Sequence, residues 1–110
     1  MIVKSKRIVA TGYNGAPSGR PGCLSDNMCP RAFSDAPPLS SYDTGPGACI
    51  AVHAEANALL YADRSLSEGA VLYCTCTPCT GCMRLIAGGG IKRLVIPTEN
   101  QEERVHEILI

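Results

Sequence analysis

Neither sign of charge prevails in this sequence: ten basic and ten acidic side chains cancel, and Lys and Arg form no run. A chain that grips long nucleic acid needs a basic face, because neutralising phosphates supplies most of that affinity. The balance therefore points to a small substrate. The chain also lacks any apolar run approaching the roughly 20 residues that span a bilayer. Its start, Met1-Ile2-Val3-Lys4-Ser5-Lys6-Arg7, has no apolar stretch of the secretory kind. No membrane partner is expected, and the cytoplasm is the expected location. Internal repeats are absent as well.

What is present suits one globular domain over residues 1–110, long enough to bury a core. Hydrophobic residues make up 45% and charged residues 18%, a balance that speaks against disorder. Seven cysteines is a high count for this length. An odd number without a secretory signal favours thiols and metal ligation over a disulfide framework.

Two short stretches concentrate the chemistry. His53-Ala54-Glu55 is followed, after a gap of twenty-two residues, by Pro78-Cys79-Thr80-Gly81-Cys82. Together they supply one imidazole, two thiolates and a free carboxylate. Three protein ligands, His53, Cys79 and Cys82, leave one tetrahedral position open, which marks a catalytic rather than a structural zinc. Cys79 and Cys82 are three apart, so at a helix start both sulfurs face one way. The unpaired N–H groups and positive dipole end of that turn favour thiolate over thiol. Glu55, two residues from His53, cannot point as His53 does from a regular helix, so one binds metal and the other reaches solvent. A structural zinc remains the alternative and needs a fourth ligand. Cys74 and Cys76 read as small hydrophobes in a buried strand, and His106 as a surface residue.

The chain alternates strand and helix. Residues 1–4 and 7–13 read as a hairpin, and residues 16–47 as a long Pro/Gly/Ser-rich loop on the substrate side. Residues 50–63 carry a helical pattern, with Ile50, Ala54, Ala58 and Tyr61 on one face. Val71 to Cys76 is a continuous apolar and β-branched run, expected as a strand buried on both faces. A second helix is expected from Cys79 to the triple glycine 88–90, then a strand over Arg93–Ile96, then a short helix over Glu102–Leu109. Short links between these elements argue for an α/β layer fold containing a parallel strand pair.

The H-x-E and P-C-x-x-C pair is the signature of the zinc-dependent nucleobase deaminases. The run Ile8-Val9-Ala10-Thr11-Gly12-Tyr13-Asn14-Gly15-Ala16-Pro17-Ser18-Gly19 resembles the segment leading into the substrate loop of the deoxycytidylate deaminase branch of the cytidine deaminase superfamily. His53-Ala54-Glu55-Ala56-Asn57-Ala58, Leu72-Tyr73, Thr77-Pro78-Cys79-Thr80-Gly81-Cys82 and Ile91-Lys92-Arg93-Leu94-Val95 are similar too, so the resemblance covers residues 1 to about 97. It implies a three-layer α/β/α fold with a mixed central sheet. The long helix that usually precedes the first strand is expected to be lacking.

The resemblance further implies hydrolysis of dCMP to dUMP and ammonia, with water attacking C4 of the base. Glu55 is then the catalytic acid and base, a role typically contributing about 10²–10⁴-fold. His53, Cys79 and Cys82 hold the zinc, and Asn14, Ala54, Thr77 and Pro78 contact the nucleotide. Asn14 would hydrogen-bond the sugar, although Tyr13-Asn14-Gly15 also reads as a simple turn. Some members hold a second, structural zinc in the segment before H-A-E, where Cys23, Cys29 and Cys49 fall. Members are usually homo-oligomers, and several respond to dCTP and dTTP. Cytidine, guanine-type bases or a tRNA adenosine are alternative substrates, since loops rather than the motif select them. A non-catalytic zinc-binding assembly subunit is the alternative outside enzyme chemistry.

Overall fold

The computed structural model describes residues 1–20, 35, 37, 44, 48–97 and 105–109, the last segment by its backbone. The described coordinates fall into two compact units, Met1–Tyr13 with His53–Ile110, and Asn14–Val52. In the smaller unit Gly15 and Val52 form an antiparallel bridge with hydrogen bonds of 3.2 and 2.7 Å. Cys23 and Cys29 lie outside the described residues.

The larger unit is built on a five-stranded mixed sheet. Its strands are β1 (Ile2–Lys4), β2 (Arg7–Ala10), β3 (Val71–Tyr73), β4 (Arg93–Pro97) and β5 (Val105–Leu109), in the order β2-β1-β3-β4-β5. Only β3 and β4 run parallel, as the strand–helix–strand pattern implies; the other pairs are antiparallel. The helices are α1 (Ala54–Tyr61), α2 (Arg64–Ser67) and α3 (Thr80–Gly88), and α1 packs against α3 and β2. The sheet and helices agree with the expected cytidine-deaminase-like α/β fold.

Register explains which face is buried. Ile2, Leu72 and Leu94 lie side by side across β1, β3 and β4, and all three are fully buried with Ile86 of α3. Burying each such side chain contributes about 1.5–3 kcal/mol. Ala58, Cys82, Ile91 and Ile96 complete this core. The β1–β2 turn places Ser5 and Lys6 at φ 52 and 63, the left-handed pair a two-residue hairpin requires. Helix α3 ends in a Schellman motif: Ile91 N–H donates to Ile86 at 3.3 Å, Gly90 N–H to Ala87 at 3.1 Å, and Gly90 has φ +83. Arg64 Nη1 donates to the Gly88 carbonyl at 2.6 Å, so a cation meets that negative helix end.

Several sequence expectations change. The C-terminal segment is strand β5 rather than a helix over Glu102–Leu109, because β4 leaves an open edge whose N–H and C=O groups a strand can pair. Residues 98–104 and the side chains of 105–109, His106 included, are outside the described set. Helix α1 begins at Ala54, not residue 50, since Val52 is extended in its bridge to Gly15. Its expected buried face keeps Ala58, but Tyr61 is 70% exposed. Strand β3 stops at Tyr73 and is buried on one face alone: Leu72 is covered while Tyr73 is exposed. Strand β2 likewise stops at Ala10. Helix α2 lies between α1 and β3, where the sequence pattern gave no helix.

Candidate metal centre and active site

Both key motifs sit where a helix begins. His53 is the N-cap of α1, with extended backbone at φ −61 and ψ 149, and Cys79 is the N-cap of α3, at φ −70 and ψ 168. Pro78 just ahead is buried and cannot extend α3 backward. Because α1 and α3 pack together, the two caps meet. His53 Nδ1 lies 3.6 Å from Cys79 Sγ and 3.2 Å from Cys82 Sγ. Cys82, on the first turn of α3, donates its backbone N–H to Cys79 Sγ at 3.4 Å. The three donor atoms all lie within 4.8 Å of one another, the one such cluster among the described residues.

This spacing fits zinc. Bond lengths of about 2.3 Å to sulfur and about 2.0–2.1 Å to nitrogen place tetrahedral S and N ligands about 3.6 Å apart. The observed 3.6 and 3.2 Å match that edge within the adjustment a side chain can make. Two thiols and an imidazole are also a donor set that suits this ion.

Electrostatics divide the two thiols. The N–H of Cys82 holds the Cys79 thiol below its usual range; burial opposes this, and His53 and the Gly81 N–H add to the lowering. Burial pushes the Cys82 thiol well up, reinforced by its hydrogen bonds to Cys79 and to the Glu55 carboxylate. Glu55 is thus held against the ligand set, on the second residue of α1, without being one of the three clustered donors.

Beside it opens a cavity of about 420 Å³ lined by Glu55, Ala54, Thr11, Gly12, Cys74 and Thr75, among others. It lies past the C-terminal end of β3, where α/β sheets commonly place ligands. Burial pushes the Cys74 thiol up to about 11, and the nearby Glu55 charge adds to the shift. Cys74 is half-buried and Cys76 exposed, so the strand-core expectation fails for Cys76 and holds in part for Cys74.

Of the sequence-selected residues, the structure brings together His53, Cys79, Cys82 and Glu55, with Ala54 on the cavity wall. Thr77 is exposed. Asn14 and Cys49 belong to the smaller unit, where Cys49 Sγ accepts from Ala51 N–H at 3.4 Å. Sequence reasoning did not single out Thr11, Gly12, Thr75 or Cys74 as cavity residues. The period of two from buried Leu72 to Cys74 was the signal for the last.

The model of the cytidine and deoxycytidylate deaminase zinc-binding region matches residues 1–98. The chain belongs to that family. A deoxycytidylate deaminase of Mycobacterium phage D29 is 52% identical over 101 residues, covering 91% of this chain and 77% of the relative. The Schizosaccharomyces pombe deoxycytidylate deaminase is 40% identical over 99 residues, 89% of this chain but 29% of the relative. The human deoxycytidylate deaminase is 31% identical over 103 residues, 93% of this chain and 53% of the relative. The chain thus spans most of the phage protein and a third or less of the yeast one. A catalytic zinc is the cofactor this family and donor set imply.

Proposed function

We propose that this chain hydrolyses a cytosine nucleotide, dCMP plus water giving dUMP plus ammonia. The observation that carries it is the placement of Glu55, which neighbours Cys82 and lines the cavity. Relatives named deoxycytidylate deaminase support the choice of nucleotide.

His53, Cys79 and Cys82 would hold the zinc. When bound, that ion acts as a Lewis acid and lowers the pKa of water beside it from about 15.7 toward 7. A Glu55 carboxylate oxygen accepts one proton from the attacking water and delivers it to ring nitrogen N3. The water oxygen bonds C4. Glu55 then carries the remaining hydroxyl proton to the exocyclic nitrogen, the C4–N bond breaks, and ammonia leaves with the C4 carbonyl formed. Ala54, Thr77 and Pro78 border this chemistry in sequence, and Asn14 is assigned the sugar.

Exposed apolar groups on the sheet accord with a homo-oligomer: Ile8 of β2 is 62% exposed and Tyr73 of β3 43% exposed. No helix among the described residues is long and apolar enough to cross a membrane, and thiol ligands suit a reducing cytoplasm.

The test is ammonia release from dCMP, CMP, deoxycytidine, cytidine, cytosine and guanine, with zinc content measured alongside. Turnover of dCMP at one zinc per chain is expected. Turnover of nucleosides but not nucleotides would overturn the choice of substrate.

A further inference from the structure

Asn57 stands on α1 among Ala54, Ala56 and Ala58. Asn is a poorer helix former than Ala in a helix interior, so local propensity does not account for it. Its own backbone N–H is already used, donating to the His53 carbonyl at 2.9 Å. Its side chain reaches instead to the segment after β2, where Nδ2 donates to the Tyr13 carbonyl at 2.8 Å across 44 residues of sequence.

That bond meets a segment already pressed on the helix. A Cβ on Gly12 would run into the Ala54 carbonyl and stand 2.5 Å from the Ala58 nitrogen. Thr11 and Gly12 wall the cavity beside Ala54 and Glu55.

We propose that Asn57 is a positioning residue for the deamination, tethering at Tyr13 the segment after β2 whose Thr11 and Gly12 wall the cavity. This rests on the deaminase function above. Asn57 is not one of the clustered metal donors. It keeps the cavity wall in register with Glu55, so its loss is felt in substrate capture before chemistry.

Two substitutions that keep the branch at Cγ separate the tether from charge. Asn57→Asp and Asn57→Leu each remove the donor, and only the first adds a negative charge. Both are expected to raise KM for dCMP about tenfold, the scale of one hydrogen bond lost with its acceptor left behind. Zinc content and kcat should stay within about twofold of the parent. Asn57→Gln, which keeps the amide, should recover part of the KM. Independently of turnover, amide exchange should quicken in a peptide spanning residues 11–16 and not in α1. An active parent with Asn57→Leu unchanged in KM and exchange would overturn the tether, as would an effect confined to Asn57→Asp. A parent silent on dCMP whose Asn57→Leu variant still loosens residues 11–16 would sink the substrate assignment and leave the tether standing.

Discussion

Replacing Gly12 by alanine tests how tightly the segment after β2 and the start of α1 are held. The added Cβ would stand 2.5 Å from the Ala58 nitrogen, where ordinary contact begins at 3.4 Å, so this contact alone requires segment and helix to part by about 0.9 Å. The Ala54 carbonyl blocks the same Cβ, and both obstacles are backbone, which cannot swing aside as a side-chain tip can. Overpacking of this kind costs about 1–3 kcal/mol. Against it stands about 0.4–1 kcal/mol gained because alanine is less free than glycine in the unfolded chain. The steric effect wins, and a net loss of about 1–2 kcal/mol follows. Catalysis should suffer more than stability, since α1 carries Glu55 and a misplacement of about 1 Å can cost about 10²-fold in rate. Thermal unfolding with zinc present, zinc stoichiometry and kcat/KM on dCMP together read the outcome. A Gly12→Ala protein with parental Tm and parental turnover would refute the close approach and the lever it provides.

Glu55→Ala should keep one zinc per chain while turnover falls by at least about 10²-fold; loss of metal instead would make Glu55 a ligand. Zinc affinity should weaken as pH falls, because the raised Cys82 thiol must give up its proton before it can bind metal. The expected slope is about tenfold per pH unit for each proton released, read by competition with a chelator. The turn at Ser5 and Lys6 offers a gain. Asn-Gly tolerates the left-handed backbone these two residues adopt, so Ser5→Asn with Lys6→Gly should add about 1 kcal/mol, or about 4 °C in Tm.

The ligand set was legible because metal chemistry demands specific residue types at tight spacing, and His53, Cys79 and Cys82 are found together. The parallel pair β3–β4 was legible as well, since an apolar run, a helix and a second apolar run admit few arrangements. Local pattern failed where a distant partner decides. Strand β5 forms because β4 offers an edge, which no property of residues 102–109 announces. The start of α1 depends on the bridge between Gly15 and Val52, residues 37 positions apart. Asn57 looked like one more helical residue, and its role depends on a carbonyl reached only after the chain has folded back.

Because His53 and Cys79 are caps rather than interior residues, the far ends of both helices carry no duty toward the ion. Turns could be added beyond Tyr61, or the 62–70 connection rebuilt, without shifting a donor atom. Such freedom would let descendants of one chemical centre acquire different lengths and outer surfaces around the same pair of helix beginnings.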